Sequence, residues 1–215
     1  GHEAPVRTII EDEWRPLTSE ISTSRLGSLH ALHKGTGSEP RRSILLAAHM
    51  DAIGLMVTRL VDGFLYVTSI GGVDPRVLPG QPVTVHGRKD LPGLVVSPPP
   101  KFLPPKLQSA PTPMEHILVD TGLFPDEVQK LVRPGDLVSF AQEPIETAGE
   151  TLAGHSLDNR ASVAALTVCL QELQKRPHLW DVWAVATVQE EVTLVGALTS
   201  GFKLKPTIAV AIDVT

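Results

Sequence analysis

A single cysteine, Cys169, is the first scarcity in this sequence. It rules out an internal disulfide, and its place between Val168 and Leu170 suits a small buried hydrophobe, because no reactive-thiol context surrounds it. Basic charge is also short. The formal net charge of -5 argues against nucleic-acid binding, which needs a cationic face to displace counterions from phosphates. No apolar run approaches the roughly eighteen residues that span a bilayer, and the N-terminus lacks the apolar core of a secretory leader, so no membrane partner is expected and the expected compartment is cytoplasmic. What remains is 42% hydrophobic and 20% charged over 215 residues, the make-up of a globular chain of one or two domains with a substantial core.

Near the start Val6, Ile9, Ile10 and Trp14 form a helical stripe ended by Pro16; the Gly1-His2 pair is given no chemical role. Arg25 to Lys34 and Ser43 to His49 flank a turn-prone stretch and read as a hairpin. Of the 19 prolines, 14 fall between Asp62 and Thr147, which excludes long helices there and suggests a small all-β domain. That domain, 62–147, would be inserted into an α/β domain made of 1–61 and 148–215. Within it the proline-rich stretch from Ser97 to Pro113 reads as an extended loop, and Asp126 to Leu131 as a brief helix.

Three segments read as buried strands, and each runs into residues of metal-binding type. Ser43 to Ala48 leads to His49-Met50-Asp51, Asp181 to Val188 to Gln189-Glu190-Glu191, and Thr207 to Ile212 to Asp213. In open α/β sheets the carboxyl ends of strands border the ligand crevice, so one imidazole and several carboxylates would converge there. Asp158 opens a helical pattern running to about Arg176; an acid there has an ordinary explanation as a helix cap, and a second one as a member of this acidic set. Such a set suits divalent cations, whose charge removes the repulsion between acids. Asp51, two residues beyond His49 along a strand, is placed to fix the histidine tautomer. Glu190 and Glu191, adjacent in extended geometry, would point to opposite sides.

Ala48-His49-Met50-Asp51-Ala52-Ile53-Gly54-Leu55-Met56-Val57, Gly71-Gly72-Val73-Asp74-Pro75-Arg76-Val77-Leu78, Leu157-Asp158-Asn159-Arg160, Val188-Gln189-Glu190-Glu191-Val192 and Ala211-Ile212-Asp213 resemble, in this order, blocks of the glutamyl and deblocking (tetrahedral) aminopeptidases, a family of dinuclear metallopeptidases. The resemblance implies a mixed-sheet, phosphorylase/hydrolase-like α/β metallopeptidase domain with a β-rich insertion. It implies two divalent ions, zinc or cobalt, with His49 and Asp213 on the first, Asp158 bridging and Glu191 on the second. Glu190 would be the general base acting on a hydroxide held by the ions, and Asp51 the support of His49. Peptides would be cleaved at their N-termini, and the complete protein would be a homo-oligomer, a tetrahedral assembly of dimers.

Ala52, Thr193, Val195 and His155 depart from residues usual in the family, which bears on substrate preference more than on chemistry. Family members continue past the strand that ends in Asp213 and there supply a further histidine to the second ion. The chain is therefore expected to be C-terminally incomplete, with at most one tightly bound ion and negligible peptidase activity of its own. Two alternatives follow, a catalytically incomplete fragment or non-catalytic family member, and a glycan hydrolase; the latter works with two carboxyls and no metal pair.

Overall fold

The computed structural model describes residues 2–214. Gly1, half of the pair given no role, and Thr215, where the chain ends, lie outside the described residues. In chain order the elements are helix α1 (Ala4–Trp14); strands β1 (Glu20–Thr23), β2 (Leu29–His33), β3 (Ser43–His49), β4 (Gly54–Val61), β5 (Phe64–Ile70), β6 (Pro82–His86), β7 (Asp90–Val96) and β8 (Leu118–Asp120); helix α2 (Pro125–Leu131); strands β9 (Leu137–Phe140), β10 (Ile145–Thr147) and β11 (Thr151–Ala153); helix α3 (Leu157–Leu173); strand β12 (Asp181–Thr187); helices α4 (Glu190–Thr193) and α5 (Val195–Leu204); and strand β13 (Ile208–Ala211). They form two compact units, Gly1–Ala52 with Ser156–Thr215, and Ile53–His155.

The division differs from 1–61 and 148–215 against 62–147. Gly54–Val61 falls within the 1–61 expected for the α/β domain, yet as β4 it pairs with β5 and β9 and sends Leu55 and Val57 into the core of the second unit. Strand pairing, which hydropathy does not record, decides where it belongs. At the other end the exposed hairpin of β10 and β11 carries the second unit on to His155.

The first unit holds a five-stranded mixed sheet in the order β1-β2-β12-β3-β13. β12 runs parallel to β3, β3 parallel to β13, and β2 antiparallel to both β1 and β12. The expected pairing of β2 with β3 is therefore incorrect: β12 lies between them, and the hairpin partner of β2 is β1. The turn-prone connection is used to pass the chain over the residues that precede β12. Thr36 N donates to His178 O at 2.8 Å and Gly37 N to Leu179 O at 3.1 Å. A Cβ at Gly35 would lie 2.5 Å from Trp180 O, so only glycine lets the backbones come this close.

Period-two alternation distributes the sheet residues. On one face Leu29, Ala31, Ala48, Met50, Ala184, Ala186 and Val188 pack with Trp14 of α1 and with Val163, Leu166 and Leu170 of α3. On the other, Leu45, Ala47 and Val185 pack with Trp183 and with Leu204 of α5. Trp14 is fully buried and its Nε1 donates to Thr167 Oγ1 at 2.8 Å, which satisfies the indole as α1 docks on α3. β13, expected to be buried, is exposed along all four residues and lies at the edge of the sheet.

The second unit is a closed barrel in the order β4-β5-β8-β7-β6-β9. Leu55, Val57, Leu65, Val83, Val85, Val95, Ile117, Val119 and Val138 fill it, and Val128 of α2 joins this core, so the unit is β-rich but not wholly β. The proline-rich stretch, expected to be extended, makes short 3-10 turns at Pro100–Phe102 and Pro105–Leu107 around a buried Leu103. Among the described residues no helix is long and apolar enough to cross a membrane.

Candidate metal centre

Parallel register brings three strand ends together. Thr187 of β12 lies opposite His49, and Ala211 of β13 opposite Ala47, which sets Asp213 level with His49. Asp158 enters from the start of α3. It does not sit in the regular helix: Asp158 and Asn159 have non-helical dihedrals (ψ 102 and 32), and the peptide bond between them is cis. The capping role considered for Asp158 gives way to a place beside His49. Its Oδ1 is 3.0 Å from His49 Nε2.

After β12 the chain turns through Gln189 in the left-handed region (φ 60) into α4. Glu190 and Glu191 thus start a short helix rather than continue a strand, which corrects the extended geometry expected for them. Their backbone N–H groups donate to Asp51, Glu190 N to Oδ1 and Glu191 N to Oδ2, each at 3.2 Å. The buried Asp51 carboxylate therefore anchors the first turn of α4 as well as facing the histidine. The nearest partner of His49 Nδ1 is the Asp51 carbonyl at 3.1 Å, with the carboxylate at 3.5 Å, so the support expected from the side chain comes first from the backbone.

His49 Nε2 is buried and has no hydrogen bond of acceptable geometry, although carboxylate oxygens of Asp158, Glu190 and Asp213 stand 3.0, 3.6 and 3.7 Å away. Burial favours the neutral ring, but Asp51 and Glu190 outweigh it and hold the imidazole up to about 9. Burial likewise opposes ionisation of Asp51, and the histidine and the two backbone N–H groups prevail, keeping it below the usual range. Glu190 and Glu191 are both pushed up, by burial and then by neighbouring carboxylates, with His49 opposing. The acids therefore burden one another, and added positive charge would relieve them.

Among the described residues two groups of three could hold a cation, His49 with Glu190 and Glu191, and His49 with Asp158 and Asp213; within each, the ligand atoms lie within 4.8 Å of one another. An orphaned buried imidazole nitrogen ringed by carboxylate oxygens fits a divalent ion by position and by donor chemistry. All six residues singled out from sequence, His49, Asp51, Asp158, Glu190, Glu191 and Asp213, come together in the first unit. Two residues that the same reading passed over also reach the strand ends: Asn159 Nδ2 donates to Ile212 O at 2.8 Å, and Arg160 Nε to Met50 O at 3.2 Å.

The profile of the M42 glutamyl aminopeptidases matches residues 27–215. The chain belongs to that family. Among its M42 relatives, the lysyl aminopeptidase of Pyrococcus furiosus is 33% identical over 98% of this chain and 60% of its own length. The solved aminopeptidase APDkam598 of Desulfurococcus kamchatkensis gives a TM-score of 0.89 at 33% identity, covering 100% of this chain and 59% of that one. The TET1 peptidase of Pyrococcus horikoshii, described as able to assemble into a tetrahedron or a large octahedral shell, gives 0.86 at 30% identity over 99% of this chain and 64% of that one. The chain thus spans about 60% of the length of the curated relatives it matches.

Proposed function

We propose that this chain carries the catalytic site of a metal-dependent aminopeptidase that removes N-terminal residues from peptides. The observation that carries the reading is the buried, unpaired Nε2 of His49 among carboxylates. His49, Asp158 and Asp213 would hold one divalent ion, zinc or cobalt, and Asp158 with Glu191 would hold a second. Bound there, such ions supply Lewis acidity toward the scissile carbonyl and a lowered pKa for the attacking water.

The protein's own groups do the rest. Glu190, pushed up by burial and by the acids around it, accepts the proton of the attacking water and delivers it to the departing amine. Asp51 holds both the His49 ring and the turn that carries Glu190 and Glu191. The surplus of carboxylates attracts the ammonium of a free N-terminus, which favours cleavage at chain ends. The assembly described for the Pyrococcus horikoshii relative supports a homo-oligomer for this protein as well, for which we infer dimers as the building blocks. The negative net charge speaks against a nucleic-acid partner.

In the metal-loaded complete protein, Glu190→Gln is expected to lower peptide turnover by about two to four orders of magnitude while the metal content stays unchanged. Near-normal turnover by that variant would remove Glu190 from the role. A chelator should abolish the activity, whereas a glycosidase built on two carboxyls would be indifferent to it.

A further inference from the structure

Two carbonyls beside the acids share one arrangement. Met50 follows β3 and precedes Asp51; its N–H donates to Thr187 O at 2.9 Å, continuing the sheet, and its carbonyl accepts from Arg160 Nε. Ile212 follows β13 and precedes Asp213; its N–H donates to Ala47 O at 2.8 Å, and its carbonyl accepts from Asn159 Nδ2. At both strand ends the sheet takes the donor and the Asp158-Asn159-Arg160 segment takes the acceptor.

The peptide planes on either side of Met50, and on either side of Ile212, are thus each held by a bond, and rotation of the second plane of each pair would swing the acid that follows. This matters because two of the acids are largely open to solvent. The side chains of Asp158 and Asp213 are each 54% exposed, and like charges crowded round one imidazole repel, which drives the three segments apart. Asn159, in contrast, is completely buried. Its amide orientation follows from its partner, since only Nδ2 can donate to a carbonyl.

We propose that Asn159 and Arg160 are positioning residues: they tie the ends of β13 and β3 to the segment bearing Asp158, and so set the spacing of His49, Asp158 and Asp213 at which a divalent ion is gripped. The inference rests on the metal reading above. Groups that orient ligands in this way are typically worth 10–100-fold in metal affinity.

Cobalt(II) is a suitable probe, because its visible absorption reports ligand geometry as well as occupancy. Asn159→Ala and Arg160→Met, each with a cooperative thermal transition retained, should bind cobalt about 10–100-fold more weakly than the wild-type chain and with an altered visible band. Arg160→Lys, which keeps a donor, should recover most of the affinity and the wild-type band. Wild-type affinity and spectrum in both folded variants would overturn the proposal and leave the metal site standing. No cobalt binding by the wild-type chain would overturn the metal reading, and this inference with it. If Asn159→Ala does not fold, Arg160→Met, altered at an exposed residue, decides alone.

Discussion

At the scale of single residues, one imidazole nitrogen sets the capacity of the site. Both three-residue groups include His49, whose Nδ1 is engaged by Asp51, so Nε2 serves one ion at a time. A second ion would have carboxylates alone, which hold transition metals more weakly than a mixed set. Metal analysis after dialysis should therefore find one retained ion per chain, and two would show that the carboxylates suffice. A different histidine contributes to the loss of stability in acid. His30 is fully buried; Ser200 Oγ donates to Gly196 O and accepts from His30 Nε2, which leaves Nδ1 buried and unpaired. Protonation would bury a donor with no acceptor, and burial, then Lys203, depresses the ring to about 4. The folded pKa lies below the unfolded 6.5, so the unfolded chain binds more protons between the two values. Stability is whole above pH 6.5 and falls as pH drops toward 4, by about 1.4 kcal/mol per unit. Urea unfolding at pH 6.5 and 5 should show this loss in the wild type and little of it in His30→Asn; equal losses would assign the effect elsewhere.

At the scale of elements, the contact of α5 with the end of β12 is the most constrained. A Cβ at Gly196 would lie 2.1 Å from Val188 O and 2.8 Å from Val188 N, so the helix seats directly on the backbone that leads through Gln189 to Glu190. Gly196→Ala is expected to cost about 1–3 kcal/mol, as overpacking does, and to lower turnover by displacing α4. An unchanged melting temperature with unchanged turnover would show that α5 can shift without disturbing the site. At the same strand end, sequence gives the adjacency of Glu190 and Glu191, but the left-handed Gln189 and the two bonds to Asp51 make them a helical turn rather than an extended pair.

At the scale of the whole molecule, the two units carry different reporters. Trp14, Trp180 and Trp183 are the only tryptophans, and all three lie in the first unit with the candidate ligands. A ligand that binds only the folded form stabilises it by about 2.7 kcal/mol at one hundred times its dissociation constant. Zinc or cobalt should therefore raise the melting transition seen by tryptophan fluorescence, and a chelator should reverse the rise. A transition indifferent to both would count against metal binding in this unit.

How much was legible beforehand follows from what each signal encodes. Apolar runs ending in His49, Glu190 and Asp213 reveal strands and the polar residues at their ends, because burial in a parallel sheet selects β-branched and small apolar residues locally. Ordered motifs along the chain point to the family. Proline density marks the β-rich module, since proline excludes long helices wherever it falls. Pairing is not local, so only the tertiary structure places β12 between β2 and β3, leaves β13 at an exposed edge, and gives β4 to the barrel. Side-chain partners depend on distances between segments remote in sequence. For that reason the carboxylate of Asp51 bonding the start of α4, and the reach of Asn159 and Arg160 to the strand ends, were decided by the fold.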